Sequence, residues 1–170
     1  MNTGQMMLTL GAIMIFGMLV LRMNTHTANI TEEVDNTRFG IMALALARSR
    51  IDHAMGLKFD AQTVYNNLSP DANGKPPSGS LTSATGLGPN SGETPATYND
   101  FDDYNGLTTV VDTIPSAVFT IASRVTYVDP DNNYQASSSI QWHKMITVTV
   151  SSPNLVSPIV MRAINSYWTY

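Results

Sequence analysis

Residues 5–21 read QMMLTLGAIMIFGMLVL, a run with no charge and with only Gln5 and Thr9 to break its apolar character. Helix formers dominate it and no proline interrupts it. At about 1.5 Å of rise per residue, a helix from Met1 to Leu21 reaches about 31 Å, close to the ~30 Å hydrocarbon layer of a bilayer. Twelve large apolar side chains lie between Met6 and Leu21. Covering them is worth about 20–30 kcal/mol as an upper bound. A water-soluble monomer that exposes this stripe is not credible, so lipid or further copies of the chain must cover it.

The flanks of the run decide what kind of segment it is. A secretory signal peptide carries a basic region before its apolar run and a small-residue cleavage site after it. Here the first charge is Arg22, behind the run, and Arg22-Met23-Asn24 is no such site. A plain membrane anchor usually gives way to a polar linker, whereas this segment continues in helical register. With Ile30 as the reference at about 100° per residue, Val34, Ile41, Leu44, Ala45, Ile51 and Met55 fall on one side. Arg48 falls there too, against the pattern. Phe39, Met42, Ala43 and Leu46 fall opposite. Residues 31–38 carry Glu32, Glu33, Asp35 and Arg38, and residues 39–47 (FGIMALALA) are apolar all round. A helix apolar on both faces needs two partners. One is the chain's own C-terminal part and the other a neighbouring subunit. The pattern predicts one helix from Thr3 to Gly56, with Gly56 as its C-cap and with Gly11, Gly17 and Gly40 as weak points inside it.

Beyond the helix, residues 58–106 are rich in Gly, Pro, Ser, Thr and Asn and read as loop by every turn signal. So long a loop is either disordered or packed as a covering. A short helix is expected within Ala61–Leu68. Residues 107–170 read as strands. Val118–Val128 alternates Phe119, Ile121, Val125 and Tyr127 against Thr120, Arg124 and Thr126. Lys144–Val150 sets Ile146, Val148 and Val150 against Thr147 and Thr149. Val156–Trp168 follows, and Leu107–Ile114 adds a fourth strand. Turns at Pro130–Asn133 and Ser152–Asn154 are short, so consecutive strands should pair antiparallel. The expected fold is α+β: a long N-terminal helix packed by an antiparallel meander of three to four strands. The expected division is a stem at 1–57 (1–22 as its transmembrane or filament-core part), the loop region at 58–106 and the head at 107–170.

The 170 residues carry 13% charged side chains and a net charge of −4, with no basic stripe. That leaves no electrostatic case for nucleic acid. There is no cysteine, which excludes disulfides, Cys-ligated zinc and a thiol nucleophile. His26, His53 and His143 lie in different elements or far apart on the helix and are read as structural or solvated. No GxSxG, HExxH or phosphate-binding glycine loop occurs. Asp100, Asp102, Asp103 and Asn105 form the densest acidic cluster. Its oxygens are of a type that holds Ca²⁺, but the spacing does not fit an EF-hand loop, and a solvated acidic turn is the expected reading. Asn29 and Asn67 stand in glycosylation sequons. The aromatic end Tyr167-Trp168-Thr169-Tyr170 suits packing on the stem or a contact between subunits.

A helix apolar in its first half and amphipathic in its second, followed by a β-rich head, resembles the type IV pilins and the related pseudopilins, loosely and over the whole chain. The resemblance implies a structural subunit rather than an enzyme, with no cofactor or metal. Its partners would be copies of itself, joined through their N-terminal helices, and the inner membrane before assembly. Its place would be an extracellular filament at the cell surface. The assembly residues are then Gln5, Met6, Leu10, Ile13, Met14, Phe16, Leu19, Phe39, Met42 and Leu46. Pilin precursors have a short leader ending in Gly, which puts the processing junction at Gly4-Gln5. The family's glutamate at the fifth mature position is absent here. Thr9 holds that place counted from Gln5, and Gln5 itself counted from Met1. Two alternatives stay open: a minor pseudopilin of a secretion or DNA-uptake machine, and a single-pass membrane-anchored module that binds a ligand through residues 70–105.

Overall fold

The computed structural model describes residues 2–113 and 117–167, without the side chains of 28–32. The readings that rest on Ile30, Glu32 and Asn29, on Ile114 as a strand end, and on Trp168, Thr169 and Tyr170 lie outside the described residues. Contacts divide the chain into two units, 1–39 and 40–170. The residues from 58 to 106 therefore belong to the same unit as the strands.

Helix α1 runs Thr3–Met55 without a break, as the shared register of both halves predicts. Gly56 follows, and its amide donates to the carbonyl oxygens of Asp52 and His53 at 3.2 Å, which closes the last turn. Thr9, Thr25 and Thr37 turn their hydroxyls back onto carbonyls three or four residues earlier in the same helix. Each such bond satisfies the hydroxyl within the helix, and at Thr9 it removes a polar group from the apolar run.

In the 40–170 unit, five strands follow: β1 (Thr108–Val111), β2 (Phe119–Asp129), β3 (Gln135–Ala136), β4 (His143–Ser151) and β5 (Ile159–Ser166). They form an antiparallel sheet of order β1-β2-β4-β5, with the two-residue β3 paired to the end of β2. The fold is thus α+β, with the expected meander. The turn after β2 is a single 3-10 turn at Pro130–Asn132, with Asp129 as its cap. It ends in left-handed Asn133 and Tyr134, at φ 50 and 55.

The period-2 patterns sort the sheet faces as read. Phe119, Ile121, Val125 and Tyr127 of β2 and Ile146, Val148 and Val150 of β4 are all buried. Their alternates Thr120, Arg124, Thr126, Thr147 and Thr149 are half-buried or exposed. The part of α1 in this unit contributes Ala43, Ala47, Ile51 and Ala54, all buried. Three of these four are alanines, so helix backbone and core lie close together. Arg50 reaches the Thr109 hydroxyl of β1 and lies over the Tyr104 ring at 5.8 Å from its centroid.

The long polar stretch is packed, not disordered. Pro76, Leu81 and Leu87 are buried beneath it. The Asn105 side chain donates to the Leu87 carbonyl at 2.8 Å and accepts from the Val125 amide at 2.9 Å. Gly106, at φ +80, donates to the Ser123 carbonyl at 3.0 Å, and Ser123 returns a bond to Leu107 at 2.9 Å. These contacts occupy the edge of β2 that β1 leaves bare, which would otherwise offer unpaired backbone groups to another chain. Only a single 3-10 turn, Ala61–Thr63, forms where a short helix was expected.

Candidate functional site: an apolar stem and a buried ionic cluster

The two features with functional content lie in different units. The first is the surface of α1 between Thr3 and Thr27, which is long and apolar enough to cross a membrane. The twelve large apolar residues from Met6 to Leu21 are all exposed, from Val20 at 51% to Met7 at 80%. The sequence-derived residues Gln5, Met6, Leu10, Ile13, Met14, Phe16 and Leu19 all belong to this surface. Gly4, Gly11 and Gly17 have no heavy atom within 4 Å of where a side chain would begin, so nothing within the chain requires glycine there.

Further along α1 the structure sorts the two apolar sides. Phe39 is buried, and Met42 and Leu46 are half-buried. Val34, Ile41, Leu44, Ala45 and Met55 are exposed, whereas Ile51, which the register placed on their side, is buried in the core. The outward set is therefore Val34, Ile41, Leu44, Ala45 and Met55, whereas Phe39, Met42 and Leu46 share the side of the helix that carries buried Ala43 and Ala47. Arg48 now fits. It lies on the exposed side and pairs with Asp52 at 3.3 Å, one helical turn on. With both partners more than half exposed, that pair adds little stability.

The second feature is inside the 40–170 unit. Lys144 is fully buried, because β4 alternates inward at Lys144, Ile146, Val148 and Val150. Its ammonium has three protons and three acceptors. They are the Phe59 carbonyl at 3.0 Å, Asp60 Oδ2 at 2.6 Å and Asp102 Oδ1. It also sits over the rings of Phe59 and Tyr127, at 4.5 and 5.0 Å from their centroids. Asp60 caps the Ala61–Thr63 turn, and its Oδ1 accepts from the Gln62 amide at 3.0 Å. Oδ1 also accepts from the Thr82 hydroxyl at 3.0 Å, and the Thr82 amide is shared between Oδ2 at 3.1 Å and Oδ1 at 3.2 Å. The Tyr127 hydroxyl lies 2.7 Å from the Thr82 carbonyl oxygen and 3.2 Å from Asp60 Oδ2.

The acidic cluster at 100–103 is not solvated: Asp100, Asp102 and Asp103 are all buried. The reading as a water-facing turn fails because Asp102–Tyr104 forms a 3-10 turn whose neighbours bond to the carboxyls. Asp100 Oδ1 takes the Asp102 amide at 2.8 Å, and Asp103 Oδ2 takes the Asn99 amide at 2.9 Å. One oxygen on each of the three, namely Asp100 Oδ2, Asp102 Oδ2 and Asp103 Oδ1, has no hydrogen-bond partner. Among the described residues no group of three or more His, Asp or Glu is placed to hold a metal ion.

Charge in this cluster divides by donor supply. Lys144 and the backbone amides of Gln62 and Thr82 hold Asp60 below the usual carboxylate range despite its burial. Burial pushes Asp102 up to about 8, against the pull of Lys144, and burial with the Asp103 charge pushes Asp100 up to about 6. Burial also raises the Tyr127 hydroxyl, and the charge of Asp60 adds to it. The consistent state near neutrality is Asp60 as anion and Asp102 as neutral acid.

Of the histidines, His53 Nδ1 meets the Tyr104 hydroxyl and His143 Nδ1 lies 2.8 Å from Ser166 Oγ. The Tyr167 amide donates to the Trp142 carbonyl at 2.9 Å, its hydroxyl accepts from the Leu68 amide at 2.9 Å, and its ring stacks on Trp142 at 5.2 Å. The Lys144–Asp60–Asp102 cluster was missed in the sequence. Its one local signal was parity, since Lys144 shares the inward phase of Ile146, Val148 and Val150.

Comparison with known proteins returns no match: no family model fits the chain, and no curated protein or solved structure is similar to it.

Proposed function

We propose that this chain is the structural subunit of an extracellular helical filament, similar in plan to the type IV pilins, and that it assembles through its N-terminal helix. The observation that carries the reading is the exposure of twelve large apolar side chains on one uninterrupted helix. Such a surface is stable only when covered, by lipid before assembly and by other copies afterwards. The exposed stripe of Ile41, Leu44 and Met55 lies beyond a membrane-spanning length and supports a protein partner there. The open glycines suit close helix approach. Hydrophobic burial is the driving force, no chemistry at a catalytic centre is required, and Gly4-Gln5 is the proposed cleavage point of the precursor.

The test is electron microscopy of the sheared cell-surface fraction, with mass spectrometry of its main protein. Thin filaments made of this chain are the expected result, with an N-terminal peptide beginning at Gln5. Retention in the membrane with no filament containing the chain would sink the reading and leave the anchored module or the minor pseudopilin.

A further inference from the structure

The geometry points to Lys144 and Asp60 as partners in an intramolecular amide bond, formed by the protein on itself with Asp102 as the proton carrier. Three independent features of the buried cluster converge on this. The amine and the carboxyl are already in contact, with Nζ 2.6 Å from Asp60 Oδ2, and Lys144, Asp60 and Asp102 are all buried. The Asp60 carboxyl is polarised: the Thr82 amide is shared between Oδ2 at 3.1 Å and Oδ1 at 3.2 Å, and Oδ1 alone accepts from the Gln62 amide and the Thr82 hydroxyl. Those donors stand where negative charge would develop if Cγ were attacked. The third feature is an acid that touches the same amine and has a free oxygen. Asp102 Oδ1 is bonded to Nζ, and its Oδ2 has no partner.

The reaction balances without any co-reactant. Lys144 passes one proton to Asp60 Oδ2 along their hydrogen bond, which leaves a neutral amine and a neutral acid as the reacting pair. The nitrogen lone pair attacks Asp60 Cγ, and the carbonyl electrons move onto Oδ1 among its donors. Asp102 gives its proton to Oδ2, the C–O bond breaks, and Oδ2 departs as water. The nitrogen returns a proton to Asp102, which ends as it began. In sum, an ammonium and a carboxylate become an amide and one water. Proximity supplies the advantage, since the two groups are held together by the fold. Burial holds Asp102 in its acid form near neutrality, which is the state this role needs. The bond would join the start of the long covering segment to the middle of the sheet, a link that a chain without cysteine cannot make by disulfide. The inference does not rest on filament formation.

The experiment is peptide mapping of the full-length wild-type chain, denatured and cut with trypsin. Lys75 precedes Pro76 and resists cleavage, so the relevant fragments are 59–124, 125–144 and 145–162. The expected result is 59–124 joined to an uncut 125–162, lighter than their sum by one water, with fragment ions placing the link at Asp60. Free 125–144 and 145–162 at full mass would overturn the proposal and reduce the cluster to an ion pair. A link mapped to Asp102 would overturn the assignment of Asp60. The Asp102→Asn variant is expected to give free peptides while circular dichroism keeps its helix and strand content. A joined product in that variant would overturn the proton-carrier role, and the wild-type map decides the bond itself whether or not the variant folds.

Discussion

At the scale of single residues, the buried cluster sets how the protein responds to pH. Asp100 and Asp102 have folded-state pKa values raised to about 6 and about 8. Between the ordinary carboxylate range and those values the folded state holds protons that the unfolded chain has released. Stability from these two groups is therefore present at mildly acid pH and falls as pH rises through 6 and then 8. Asp60 is shifted down, so its contribution is present above the ordinary carboxylate range and is lost as pH falls below it. The expected outcome is maximal stability in mildly acid solution and a decline toward pH 8. Denaturant titrations of the full chain in detergent across that range check it, and a flat or rising profile would contradict the assignment. The same cluster predicts the effect of removing its cation. Lys144→Met leaves the carboxylate of Asp60 buried without its partner, at a cost of about 3–5 kcal/mol. A loss of unfolding free energy of less than a third of that would show that Lys144 is not the ion that holds Asp60.

At the scale of elements, α1 beyond residue 39 has one inward and one outward side, and substitutions should separate them. Ala47 has no exposed surface, and a leucine there has no room, so Ala47→Leu is expected to destabilise by about 1–3 kcal/mol. Ala45 is exposed on the other side, and Ala45→Leu should leave the melting temperature within the error of measurement. Equal effects at the two positions would overturn the assignment of faces. The turn into β1 makes a similar demand on backbone. Gly106 sits at φ +80 with its amide bonded across to Ser123. Gly106→Ala is expected to cost about 1–2 kcal/mol through strain rather than lost contact, read as a lower denaturation midpoint with an unchanged slope.

At the scale of the whole molecule, the decisive property is that the large apolar residues of the first helical turns find no cover within the chain. Met14 lies in the middle of that surface and is exposed. Met14→Asp places a charge where lipid or another copy must otherwise lie. It is expected to abolish filaments and to shift the chain out of the membrane fraction. Melting of the 40–170 unit, followed by near-ultraviolet dichroism of its tyrosines and Trp142, should not move. Filaments that persist in this variant would count against assembly through the helix, and a lowered melting temperature would mean that Met14 serves the fold instead.

The sequence by itself determined the periodic parts of this protein. The uncharged run at 5–21 and the 3.6-residue register after it predicted α1 almost to the residue. The strict alternation in β2 and β4 assigned their faces, because period and burial are local consequences of backbone geometry. Tertiary structure decided everything that depends on partners distant in the chain. It chose which side of α1 lies inward, a choice that two equally apolar sides left open. It also turned the polar stretch from loop into packed covering, through bonds from Asp60, Thr82 and Asn105 to residues of the strands. It buried Asp100, Asp102 and Asp103, whose composition alone says solvent. A charge can leave water only where a counter-charge or a donor awaits it. Lys144 stands 84 residues from Asp60 and 42 from Asp102, a separation over which no local pattern carries information.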